Sequence, residues 1–195
     1  MTKSIIYSNI YLYRLLMCIL YLGKYKKRFC KINELIKPDT NSVVELCFGD
    51  ICIAEHCQKI GINWKGYDIN PLFVKNAINA GHNAIVKDIE TFDNFDTCDT
   101  CVMMGSLYHF KDKSADIVNR MIAVSKQVII SEPIKNLSLA KGVIGYIARK
   151  SASVGKGSEE FRFNETTFLA MLDSLNVNYK IISIDKDILI EITND

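Results

Sequence analysis

From residue 42 onward the chain alternates short apolar runs with stretches of helical periodicity, and this rhythm limits its folds more than any other feature. Runs expected as strands lie at residues 42–47, 64–69, 83–87, 100–104 and 127–131. Between them come residues 51–60, closed by Gly61, a stretch opened by Pro71 and closed by Gly81, and residues 114–125. Strands of this length spaced by helices read as βαβ units feeding a mostly parallel sheet, since each parallel pair needs a crossover. Proline suits the first helical turn, where its missing N–H has no partner to lose. The tail differs. Residues 165–175 read as a helix, and residues 179–184 and 187–192 as two strands close enough to form an antiparallel hairpin. The expected architecture is α/β, with a seven-stranded, mostly parallel sheet and an antiparallel C-terminal strand.

A breaker cluster, Lys37-Pro38-Asp39-Thr40-Asn41, separates this region from two earlier helical stretches at residues 5–21 and 24–36. Residues 1–37 are therefore expected to form a helical cap on a core spanning 38–195, within one domain of 195 residues. Residues 10–22 are almost all apolar, but Arg14 breaks the run, which falls short of the ~18 uncharged residues of a membrane span. A basic leader and a small-residue cleavage site are also missing, so it does not read as a signal peptide. Lys24, Lys26, Lys27 and Arg28 follow the run. Two roles stay open for this segment: a core-packing helix with cations near its negative end, which is the reading adopted, and peripheral contact with a membrane.

Composition removes several classes. Hydrophobic residues make up 49% of the chain and charged ones 24%, the balance of a globular protein. A net charge of +2 gives no broad basic surface, so no nucleic-acid partner is expected. The seven cysteines are odd in number and several lie in apolar runs, which reads as reduced, buried thiols in a cytoplasmic protein. Cys98 and Cys101 form a CxxC pair with no second pair at zinc spacing, so no metal is expected.

In an open parallel sheet, ligands bind beyond the carboxyl ends of the strands. The residues there are informative. Glu45-Leu46-Cys47-Phe48-Gly49-Asp50 ends the first strand, and Gly49 would let backbone approach a ligand closely. Asp68, followed by Ile69 and Asn70, ends the second; an acid here accepts both ribose hydroxyls of a nucleoside. Asn70 is placed to cap the helix that Pro71 opens. Asp88 and the Ile89 N–H follow the third strand and suit an adenine edge, with Phe73 and Ile89 as the walls of a slot. Met104-Gly105-Ser106-Leu107-Tyr108-His109 follows the fourth, and Glu132-Pro133 the fifth.

Taken in order, these segments resemble the motifs of the class I S-adenosylmethionine-dependent methyltransferases. The first motif is matched by residues 44–50, the second by Asp68 in Gly66-Tyr67-Asp68-Ile69-Asn70, the third by Asp88, the fourth by residues 102–110 and the fifth by Glu132-Pro133. More narrowly, the chain is similar to small bacterial methyltransferase-like proteins with a Tyr-x-x-Arg-Phe stretch, here residues 25–29. The resemblance runs over roughly the whole chain. It implies a Rossmann-like fold, S-adenosyl-L-methionine as cofactor and S-adenosyl-L-homocysteine as product. The expected reaction is attack on the activated methyl group by a substrate O or N atom; the lack of a basic stripe favours a small-molecule acceptor, and the apolar N-terminal helix admits a hydrophobic one. Glu45, Cys47, Gly49, Asp68, Ile69, Asn70, Phe73, Asp88, Ile89, Met104, Gly105 and Ser106 are the implied cofactor contacts.

The glycine loop departs from the family pattern: Cys47 and Ile51 stand where the outer two glycines would be. A pyrophosphate needs that close backbone approach, so the loss argues against a NAD- or FAD-dependent Rossmann enzyme. It also supports a different rival, a degenerate methyltransferase fold acting as a binding protein or subunit. Several roles stay open. Glu45, in an apolar strand, either faces the cofactor's ammonium or forms a structural salt bridge. His109 is either a general base or a structural hydrogen-bonding group, with Tyr108 lining the pocket. Glu132 is a second candidate for base or substrate contact. Residues 137–163 exceed what a connection needs and are expected to form a lid or insertion that sets substrate choice together with the N-terminal helices.

Overall fold

A computed structural model describes residues 9–92, 94–135 and 161–194. Two helices, α1 (Ile10–Leu20) and α2 (Tyr25–Leu35), precede the sheet region. There follow β1 (Ser42–Leu46), α3 (Cys52–Lys59), β2 (Asn63–Asp68), α4 (Pro71–Asn79), β3 (Asn83–Val86) and β4 (Cys98–Met104). A 3-10 segment at Leu107–Lys113 leads into α5 (Ser114–Val124) and β5 (Ser125–Pro133). After the stretch outside the described residues come α6 (Glu165–Asp173), β6 (Tyr179–Ile184) and β7 (Asp187–Thr193). The proposed lid falls almost wholly on residues 136–160, outside the described residues.

The seven strands form one sheet in the order β3-β2-β1-β4-β5-β7-β6. β1 to β5 pair in parallel, and β7 runs antiparallel to both β5 and β6. The expected α/β class, strand number and C-terminal hairpin are all found. Strand order reverses between β1 and β4, so the crevice for a ligand opens beyond those two strand ends.

Period-two alternation divides the core. Val44 and Leu46 of β1 join Val128 and Ile130 of β5 in a layer closed by Ile117, Met121, Phe168 and Leu172. Val43 and Ile129 face the other way and meet Phe29, Ile32, Ile53, Ala54, Phe73 and Val74. Burial on both faces explains why the strands read as nearly continuous apolar runs. Two local signals behave as expected. The Asn70 side chain caps α4, its oxygen accepting from the Leu72 N–H at 3.0 Å with Pro71 next in line. Asn164 forms a capping box with Thr167 at the start of α6.

Three expectations need correction. The core-packing role of α1 holds for its inner side only: Leu16 is its one buried residue, Ile10, Tyr13 and Met17 pack against the core, and the other side is exposed. A mostly apolar sequence marks a helix as able to be buried, but only the inner stripe meets the body here. Cysteine burial fails for Cys18 and Cys30, which are exposed, and is partial for Cys47 and Cys52. Finally, the 3-10 segment after β4 has no counterpart in the expected pattern, because seven residues carry too little periodicity to register.

Candidate active site

Beyond β1 the chain turns sharply. Cys47 and Gly49 both adopt positive φ, at 55° and 58°. Cysteine tolerates this poorly, and the turn is held by hydrogen bonds: the Cys47 N–H donates to the Tyr67 carbonyl at 2.7 Å. The Gly49 N–H donates to Asp68 Oδ2 at 3.0 Å, and the Asn70 N–H to Asp68 Oδ1 at 2.7 Å. One carboxylate thus ties the loops after β1 and β2 together. Burial pushes Asp68 up to about 6, against the pull of the two amides. Each of its oxygens keeps a lone pair for a further donor.

The N-terminal helices roof this loop. A Cβ on Gly49 would stand 2.9 Å from the Tyr13 hydroxyl and 3.9 Å from the Phe73 ring. Tyr13 and Phe73 pack with ring centroids 4.9 Å apart. Arg14 grips Asp50, its Nη2 lying 2.6 Å and its Nε 3.1 Å from Oδ1. The Tyr25 hydroxyl reaches the same carboxylate from α2 at 3.5 Å. The Asp50 carboxylate is therefore a structural anchor for the cap.

Glu45 lies opposite Gly66 in the sheet register. It is fully buried, and its Oε2 accepts from the Trp64 indole N–H at 2.9 Å. Its Oε1 has no hydrogen-bond partner among the described residues. Burial raises its pKa well above the usual carboxylate range, which the indole bond opposes. Its partner is an indole rather than the cation of a salt bridge. Phe73 and Ile89 are both buried, Phe73 in the layer with Ile53 and Val74 and Ile89 in the layer with Ile117 and Met121. Asp88 accepts from the Glu90 N–H at 3.1 Å and so shapes the turn after β3. Ile69 is partly exposed at the end of β2.

The ends of β4 and β5 form a second half. Gly105 has φ 65° and donates to the Ser131 carbonyl at 2.7 Å. The Ser106 hydroxyl donates to the Met104 carbonyl at 3.3 Å. Glu132 is fully buried, and its two oxygens accept from the Leu107 and Tyr108 N–H groups, each at 3.1 Å. It positions the 105–109 loop. Burial raises Glu132 to about 8, against the pull of those amides. Tyr108 packs against His109 at 3.9 Å between ring centroids, and the Arg162 guanidinium lies 3.8 Å over the Tyr108 ring. Arg28 closes this side. Its Nε donates to Asp187 at 2.5 Å, its guanidinium lies 4.0 Å over the Tyr21 ring, and its Nη2 has no partner among the described residues. That Nη2 stands 3.1 Å from where a Gly105 Cβ would be. Tyr13, Arg14, Arg28, Trp64 and Asp187 escaped the sequence reading, and only the Tyr25–Phe29 stretch hinted at Arg28.

The raised Glu132 value sets a pH dependence. Folding favours the protonated acid, so its stabilising contribution is complete below the unfolded value near 4.5 and is lost as pH rises through about 8. Wild-type stability measured against Glu132→Gln should fall between about pH 5 and 8, by at most about 1.4 kcal/mol per pH unit, and level off above. Urea unfolding at pH 6 to 9 checks this; a constant difference would contradict it.

No family model matches the chain, and no curated protein matches its sequence. Solved structures do match in fold. The plantazolicin methyltransferase BpumL, in complex with a monoazolic desmethylPZN analogue and S-adenosylhomocysteine (SAH), aligns with a TM-score of 0.66 at 13% identity, over 97% of this chain and 89% of that one. The N-terminal domain of EvdMO1 with SAH bound gives 0.64 at 14% identity, over 87% and 80%. Magnesium protoporphyrin IX methyltransferase from Synechocystis PCC 6803, with bound S-adenosylmethionine (SAM), gives 0.60 at 11% identity, over 88% and 80%. The chain thus has the Rossmann-like fold of the class I SAM-dependent methyltransferases.

Proposed function

We propose that this chain is a SAM-dependent methyltransferase, carried by one domain and acting on an O or N atom of a small-molecule acceptor. The observation that supports it most is the Asp68 bridge, which joins the Gly49 turn to the end of β2 at the topological switch point. A nucleoside fits this arrangement: a strand-end carboxylate with lone pairs to spare for ribose hydroxyls, beside a turn whose glycine leaves the backbone bare. The solved neighbours include proteins with SAH or SAM bound. Bound SAM supplies a sulfonium-activated methyl group.

The chain's own residues divide the work. Asp68, Gly49 and Asn70 hold the nucleoside side. Glu132 fixes the backbone of the 105–109 loop, which places Tyr108 and His109 toward the acceptor side. Orientation of the acceptor atom is the main demand of such a transfer.

Calorimetry with SAM and SAH tests this reading. Binding in the micromolar range is expected, as is common for enzyme ligands. Absence of binding at millimolar ligand would favour the second reading, a methyltransferase-fold binding protein. That alternative rests on Cys47 and Ile51 in place of glycines, and on the Tyr13 hydroxyl seated over Gly49.

A further inference from the structure

The outer face of α1 is an apolar stripe left exposed among the described residues. Tyr11, Leu15, Ile19 and Leu22 are 76%, 57%, 50% and 82% exposed, and Leu12 and Cys18 lie on the same outer side. Tyr11, Leu15 and Ile19 recur every four residues on one helical face, and Leu22 extends the apolar patch just past the helix end. The opposite face is engaged: Leu16 is buried, Tyr13 packs on Phe73 and Arg14 pairs with Asp50. The inner side of the helix is thus satisfied by the protein body, which removes the need for the polar face that a free interfacial helix requires.

Charge decides what fits the stripe. The first acidic residue of the chain is Glu34, so residues 1–33 hold seven of the 24 Lys and Arg and none of the 22 Asp and Glu. The remainder of the chain is net negative, an asymmetry that the overall +2 conceals. Lys24, Lys26 and Lys27 directly follow Leu22, are exposed, and form no ion pair among the described residues. An apolar stripe bordered by exposed cations complements a surface that offers hydrocarbon and negative charge together.

We propose that α1 with Lys24, Lys26 and Lys27 docks this protein on an anionic lipid surface. The helix lies in the interface, since no helix of the described residues is long and apolar enough to cross a membrane. A second copy of the chain fits less well. α1 has no carboxylate to meet three lysines, and its 11 residues span only ~16 Å, too little for the roughly 800 Å² per partner of a stable interface. Duplex nucleic acid would use the lysines but leave the leucines in water. Because the back of the same helix carries Tyr13 and Arg14, docking would set the roof of the Gly49 turn against the lipid.

Vesicle co-sedimentation tests this without cofactor or acceptor, so its result is independent of the methyl-transfer reading. The full chain is expected to partition onto phosphatidylcholine vesicles containing phosphatidylglycerol, and on the order of tenfold less onto pure phosphatidylcholine or at high salt. The Leu15→Glu/Ile19→Glu double variant should lose at least about tenfold in partitioning while keeping its melting temperature and SAH affinity, because both positions are exposed. Lys24→Gln/Lys26→Gln/Lys27→Gln should lose the preference for anionic lipid. No sedimentation with anionic vesicles would overturn the proposal, as would sedimentation that the double variant leaves unchanged. So would a wild-type dimer that the double variant dissociates, or duplex-DNA binding that depends on the lysines alone.

Discussion

Gly66→Ala should lower the melting temperature by roughly 8–16 °C, the largest stability effect expected of any single methyl added to this chain. The reason is the path of the Trp64 indole. Trp64 and Gly66 share one face of β2, and Gly66 sits opposite Glu45 in the register. The ring lies across the bare glycine to reach the Glu45 carboxylate at 2.9 Å. A Cβ on Gly66 would stand 2.6 Å from Trp64 Cζ2, closer still to Cη2, and 2.7 Å from Phe48 Cδ1. These are buried rings without freedom to swing away. Overpacking costs about 1–3 kcal/mol, and displacing the indole leaves a buried carboxyl oxygen without a donor for about as much again. The total of roughly 2–6 kcal/mol, centred near 4, is a large share of the stability of such a domain. Thermal melts followed by circular dichroism check it. Adding Trp64→Phe should recover part of the loss by removing the atoms in conflict, and a shift under about 2 °C for the single variant would contradict the account.

Asp68→Ala should have the largest effect on binding. It strips the strand-end carboxylate and leaves the Gly49 and Asn70 amides without an acceptor. Two lost charge-assisted hydrogen bonds correspond to a fall in SAH affinity of about 100-fold or more. Asp68→Asn keeps one acceptor oxygen, so it should restore much of the stability but little of the affinity. The raised value of about 6 adds a pH signature. Below it the carboxyl is protonated and accepts poorly, so wild-type affinity should weaken as pH falls through about 6. SAH affinity in Asp68→Ala equal to wild type would place the nucleoside elsewhere.

What was legible in the sequence is what leaves a local trace. Strand and helix alternation, Asn70 before Pro71, and an acid at the end of β2 each reveal themselves within a few residues. Glu132 was visible as a carboxylate at a strand end, but its use was not. Its two oxygens are engaged by backbone amides of Leu107 and Tyr108, and amides carry no residue identity to read. The pairings of Arg14 with Asp50 and of Arg28 with Asp187 span 36 and 159 residues. No periodicity links partners so far apart, so a single sequence cannot announce them. Gly66 did leave a signal, since a glycine inside an apolar strand marks close approach by another group. The exposure of α1 left none, because apolar side chains look alike whether they meet a core or a second surface.

The tie between Arg28 and Asp187 also orders events during synthesis. Tyr21, Arg28 and Lys31 are made 154 residues or more before their partners Asp185 and Asp187. Until β7 emerges, the N-terminal helices have Asp50 as their only early charged anchor among the described residues, through Arg14. α1 and α2 are therefore made well before the strand that fastens them. A nascent chain halted before residue 185 would hold α1 by the Arg14–Asp50 pair and the packing of Tyr13 and Leu16, ready to meet whatever surface it encounters first.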